Sequence, residues 1–136
     1  MTQVVVPVRY PLSGHSRATL SEAIDIADRE DAALTVLHID LYQSGGGVTR
    51  GMLKDAVESE FGVLPDTRYS VRRGLLVEES ILEEIAIQGA DVVVIGKKQV
   101  SRWRSMVRRL VDDPDIERYL RGELDCQVVT VTGEAV

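Results

Sequence analysis

Several residue types are scarce in this chain, and each scarcity excludes something. Cysteine is down to one residue, Cys126. No intrachain disulfide and no cysteine-based zinc site can form, and a reducing cytoplasmic location is expected. Cys126 opens a strand-like pattern and reads as a buried, inert thiol. Histidine is limited to His15 and His38, and no metal-ligand spacing is present. No apolar run approaches the ~18 residues of a membrane span, so no membrane insertion is expected. Residues 1–8 are too short and uncharged for a signal peptide. Lysine occurs only as Lys54, Lys97 and Lys98, and the formal net charge is -6. That balance argues against a general nucleic-acid binder, which is basic overall. An acidic, lysine-poor surface is also compatible with a salt-adapted host.

What is present describes a folded domain. The 136 residues are 44% apolar, which suits one domain over 1–136 with a real core. The chain is organised around residues 91–96, Asp-Val-Val-Val-Ile-Gly. A short β-branched run, apolar on both faces, reads as an interior strand covered by helices on either side. Ligands of open α/β sheets sit beyond the carboxyl ends of such strands. Gly96, Lys97, Lys98 and Gln99 follow this one.

The remaining elements fall into alternation. Residues 3–8 predict a first buried strand, then a turn through Pro11, Ser13 and Gly14. A helical period begins at Ser16, with Leu20, Ala23, Ile24 and Ala27 on one face and Ser13 or Ser16 as N-cap. Residues 33–39 predict a second strand, and 40–47 a loop with three consecutive glycines. Residues 49–61 predict a weaker helix with Met52, Val57 and Phe61 as its apolar positions. Residues 67–73 alternate like a half-exposed strand near a sheet edge. Gly74 turns into a third helix whose stripe is Val77, Ile81, Leu82, Ile85 and Ala86, closed by Gly89. A fourth helix is predicted at about 114–121 and a last strand at 127–132. Such alternation implies parallel β-α-β units in one doubly wound, Rossmann-like sheet of five strands with helices on both faces.

Taken together these residues resemble the universal stress protein family. The likeness is carried by Val4-Val5-Val6-Pro7-Val8 with Ser16, Leu20, Ala23 and Ala27. It continues in Leu34-Thr35-Val36-Leu37-His38-Ile39, then Arg73-Gly74, Ile81-Leu82-Glu83-Glu84, Ala86 and Gly89 through Gly96. It closes on Glu117-Arg118-Tyr119-Leu120-Arg121 and Cys126-Gln127-Val128-Val129. It covers essentially the whole chain. No single piece is specific; their order and spacing together are. The resemblance implies a sheet in the order 3-2-1-4-5 and a ligand crevice between the ends of strands 1 and 4. It also implies a homodimer, formed by pairing last strands. Val128, Val129, Thr130, Val131 and Thr132 are the expected interface, because an apolar edge strand needs covering.

The ATP-binding pattern implied by the resemblance is Gly-x-x-Gly, nine residues, then Gly-Ser or Gly-Thr. There glycines let main-chain N–H groups approach phosphates at a helix N-terminus. This sequence keeps Gly96 and loses the rest. Gln99 replaces the second glycine, and Arg109 or Asp113-Pro114, depending on alignment, replaces the third. Asp112, Asp113 and Asp115 around Pro114 describe a self-capped helix and place carboxylates where polyphosphate oxygens would go. Arg9 stands where the family carries an Asp near the nucleoside, and it can only donate. Ile39 matches the position whose main chain meets adenine. Against this, Lys97, Lys98, Arg102, Arg104, Arg108 and Arg109 form a basic run. It reads first as a solvated loop and helix face, and second as an anion clamp. Trp103 and Met106 within it read as core residues.

The remaining motifs are weaker. The glycine triplet at 45–47 follows the second strand rather than the first and reads as a flexible connection. His38 reads as structural. Serine activation by His15 lacks an orienting carboxylate.

The expectation is a non-enzymatic, dimeric, cytoplasmic universal stress protein-like binding or regulatory domain with a degenerate ATP motif and no tightly held cofactor. One alternative is a crevice that binds a nucleotide, such as ATP or AMP, or another anion, weakly, through Arg9, Ile39, Gly96, Lys97, Lys98 and Gln99. Another is an accessory regulatory subunit of a transporter.

Overall fold

The computed structural model describes residues 2–44, 46–75, 77–97 and 126–131. The elements are β1 (Gln3–Pro7), α1 (Gly14–Arg29), β2 (Ala33–Leu41), a short 3-10 turn (Tyr42–Ser44), α2 (Arg50–Phe61), β3 (Thr67–Gly74), α3 (Val77–Gln88), β4 (Val92–Gly96) and β5 (Gln127–Val131). All five strands are parallel, in the order β3-β2-β1-β4-β5. The expected sheet is therefore present, and β1 is its centre. The predicted helix at 114–121, the basic run beyond Lys97 and Thr132 lie outside the described residues.

The apolar strands follow from burial on two sides. Val4 and Val6 face one core with Leu20 and Ala23 of α1 and Leu53 and Val57 of α2. Val5 faces a second core with Ile81 and Ile85 of α3, and with Val93, Ile95 and Cys126. Alternate residues of one strand thus enter different cores, so every position must be apolar. Cys126 is buried, as expected.

Three predicted details are corrected. In α2 the buried residues are Leu53 and Val57, whereas Met52 is exposed. The helix is rotated one position because Leu53, not Met52, lies on the same face as Val57 at i+4. In α3 Ala86 is exposed, and Ser80 and Glu84 join Ile81 and Ile85 in the buried face. Glu84 tolerates burial because Arg72 Nη1 of β3 donates to it at 2.9 Å and Gln88 Nε2 at 2.8 Å. Arg72 also pairs with Glu83. Finally, β2 runs two residues past Ile39, carrying Asp40 and Leu41 into the sheet opposite Arg73 and Gly74.

Helix ends follow their residues. Ser13 caps α1, accepting from the Ser16 N–H at 3.1 Å, and Thr49 caps α2, accepting from the Met52 N–H at 3.1 Å. Gly89 ends α3 at φ 62°, a conformation that glycine adopts without strain.

Candidate functional site

The chain reverses direction across the sheet at β1. The strand that follows β1 lies to one side of it and β4 lies to the other. Their carboxyl ends part there, which opens a crevice. A cavity of about 570 Å³ occupies it, within the range of small-molecule sites. Its floor is Pro7, Val8 and Gly96. One wall is the start of α1, with Ser13, His15, Ser16 and Thr19. The other is the end of β2, His38 to Leu41, with Val77 and Ile81 of α3 beyond.

The turn from β1 to α1 is held by two serines. Ser16 Oγ accepts from the Arg9 N–H at 2.9 Å, and Ser13 Oγ donates to Ser16 Oγ at 3.2 Å. The strand end, the helix cap and the position of Arg9 are thereby one hydrogen-bonded unit. Both capping candidates named from the sequence take part, in different roles.

Of the predicted site residues, Arg9 lines the crevice at its rim with an exposed side chain. Ile39 lines it from a buried position, and Gly96 lines it at the end of β4. A Cβ added to Gly96 would meet only Thr19 Oγ1, at 3.5 Å. Packing by the described residues therefore does not require glycine there; what it leaves is open main chain. Lys97 follows, exposed, and is not among the lining residues. Lys98 and Gln99 lie outside the described residues.

Four lining residues escaped the sequence reading. Asp40 was assigned to a loop, yet it is buried on β2 with 5% exposure and lines the crevice. His38 lies two residues earlier on the same strand face. Its Nδ1 is 3.0 Å from the Val8 carbonyl. A carbonyl only accepts, so Nδ1 carries the hydrogen, and in the neutral ring Nε2 is an acceptor. His15 joins from α1. Gly46 was read as part of a flexible connection, but it folds back onto the crevice at φ 70°. A Cβ there would come within 2.6 Å of Arg73 Nη2, the flexible end of that side chain, so it is the positive φ that selects glycine. Arg73 in turn stacks over the Tyr42 ring, 4.9 Å from its centroid. The available signal was the apolar Leu41, which continues the β2 alternation past Asp40.

Among the described residues no group of three metal-ligating side chains forms, and no helix is long and apolar enough to cross a membrane.

Three solved structures are similar to this chain. A universal stress protein crystallised in complex with cAMP has 20% identity, covers 97% of this chain and 98% of its own, and gives a TM-score of 0.58. Universal stress protein UspA from Lactobacillus plantarum has 21% identity, with 96% and 97% covered and a TM-score of 0.61. A protein of the universal stress protein family from Burkholderia pseudomallei has 18% identity, with 96% and 95% covered and a TM-score of 0.60. The chain thus has the universal stress protein fold along nearly its whole length. No protein-family model and no curated protein sequence matches it.

Proposed function

We propose, from the universal stress protein fold and the crevice it carries, that this chain is a ligand-binding regulatory domain of the universal stress protein type. It works as a homodimer, performs no chemistry of its own and does not hold ATP tightly. The observation that carries this reading is Arg9 at the crevice rim, a donor-only side chain at the position where the family resemblance implies an accepting Asp. Gln99 and Asp113, which replace glycines of the ATP pattern, support it from the sequence. No described carboxylate hydrogen-bonds the imidazole of His15 or His38, which supports a non-enzymatic role. Titration calorimetry with Mg-ATP is the test. Affinity no tighter than about 1 mM, roughly −4 kcal/mol, is expected, and a micromolar Kd would overturn the reading. A hydrolysis screen over nucleotides and esters tests the absence of catalysis.

The homodimer reading rests on β5. It is the last strand in the sheet order of the described residues, and an apolar edge strand needs covering. Sedimentation should give twice the 15.0 kDa chain mass. Val131→Asp should shift it towards monomer, and a wild type that sediments as a monomer refutes pairing.

A second reading is favoured by size and charge. A cavity of about 570 Å³ accepts a nucleoside monophosphate or cyclic nucleotide, with Arg9 and Lys97 near the anionic group. One structural neighbour is in complex with cAMP. AMP and cAMP should then bind, and Arg9→Ala with Lys97→Ala should abolish that binding. Unchanged affinity in the double variant counts against it.

A further inference from the structure

Asp40 has no role in the fold that the described residues explain. It is 95% buried by its 5% exposure, it lines the crevice, and no described donor hydrogen-bonds its carboxylate. Its oxygens are not sealed, because the only closed-off and unpaired side-chain oxygen among the described residues is the Tyr69 hydroxyl; they open into the crevice. The cation nearest by strand register is Arg73, directly opposite Asp40 on β3. Arg73 is turned elsewhere, over the Tyr42 ring and against Gly46. Glu84, the other buried acid, is by contrast satisfied by Arg72 and Gln88. His38 adds an acceptor beside Asp40, because its Nδ1–H is committed to the Val8 carbonyl. Asp40 thus brings an anionic acceptor to the β2 wall, while the Arg9 side chain at the rim only donates.

We propose that the crevice takes a small zwitterion, with an ammonium or guanidinium group seated against Asp40 and a carboxylate or phosphate held at Arg9. The proposal rests on the reading of this crevice as a ligand site, and it names the class of ligand. Such a group would replace crevice water on the Asp40 carboxylate with charge-assisted hydrogen bonds. Asp40 is then a specificity-determining residue rather than a structural one.

The experiment uses the full chain with arginine, agmatine and AMP as probes, read by calorimetry and thermal unfolding. Arginine should bind and raise Tm. Agmatine, which lacks the carboxylate, should bind more weakly. Asp40→Asn should weaken arginine about tenfold or more, while leaving the Tm of the apo protein unchanged or higher. Asp40→Ser serves as the second variant if the Asn protein does not fold. Absence of arginine and agmatine binding at millimolar concentration overturns the proposal, as does unchanged affinity in both variants. So does a marked fall in apo Tm in both, which would make Asp40 structural. If AMP binds and the guanidinium probes do not, this proposal fails and the nucleotide reading stands. If the guanidinium probes bind and AMP does not, the reverse holds.

Discussion

Removing the Ser16 hydroxyl tests whether the crevice rim is held by the serine pair. Ser16 is buried, and its oxygen accepts from the Arg9 N–H at 2.9 Å and from the Ser13 hydroxyl at 3.2 Å. Ser16→Ala leaves the Arg9 N–H without its acceptor, a loss of about 1–3 kcal/mol for a buried donor. The Arg9 residue is exposed, so water replaces part of that bond and the low end, about 1 kcal/mol, is expected. Ser13→Ala removes the cap of α1, which also costs about 1 kcal/mol. Both variants delete the same hydroxyl-to-hydroxyl bond. The double variant should therefore lose less than the sum of the singles, by about 0.5 kcal/mol. Urea unfolding at constant m measures each term, and for a chain of this size each kcal/mol corresponds to roughly 4 °C in Tm. A Ser16→Ala protein as stable as wild type, or strict additivity within about 0.3 kcal/mol, would refute the shared network.

Three further outcomes follow from the packing. Tyr69→Phe should be neutral or stabilising by up to about 1 kcal/mol, because the buried Tyr69 hydroxyl has no partner among the described residues. Burial first, and the charge of Glu58 second, raise the Tyr69 phenol above its usual 10.0. The folded state then keeps a proton that the unfolded state releases, so this contribution is intact below pH 10 and is lost as pH rises through the folded value. Chemical unfolding followed above pH 10 should show a shallower decline in Tyr69→Phe than in wild type, and identical slopes would count against it. Gly74→Ala should cost about 1–3 kcal/mol in urea unfolding, since an added Cβ collides with the Ser80 hydroxyl and lies 3.2 Å from Ser80 Cβ; a neutral result would mean that the start of α3 yields freely. Arg72→Met strands Glu84, which is 8% exposed. With Arg72 itself partly exposed, the cost should fall between the surface and buried limits, about 2 kcal/mol. A loss of that size in urea unfolding supports the ion pair as the cause, and an Arg72→Met protein as stable as wild type would exclude it.

The sheet was legible because its strands are buried on both faces. Val4-Val5-Val6 and Val92 to Ile95 cannot alternate with polar residues without placing one in a core, so burial writes itself into the sequence as a continuous apolar run. Helix faces were legible only in part. Met52 and Leu53 are both apolar neighbours, and 3.6-residue periodicity alone did not separate them. Only the docking of α2 over β3 did. In α3 a tidy apolar stripe predicted Ala86 inside, yet Glu84 is buried instead, because a cation on a different strand reaches it. Local pattern carries no information about that partner, which stands twelve residues away on β3.

The candidate site divides in the same way. The sequence by itself determined a parallel α/β sheet, a property of short runs set by period and residue type, and its resemblance to a family pointed to the crevice that Arg9, Ile39 and Gly96 line. Tertiary structure alone decided that Asp40 is buried rather than looped out, that His38 presents Nε2 because Val8 takes Nδ1, and that Gly46 returns to the crevice under Arg73. Each of these depends on two segments distant in the chain meeting in space. Burial, tautomer and close approach are relations between segments, and no one stretch of residues contains them.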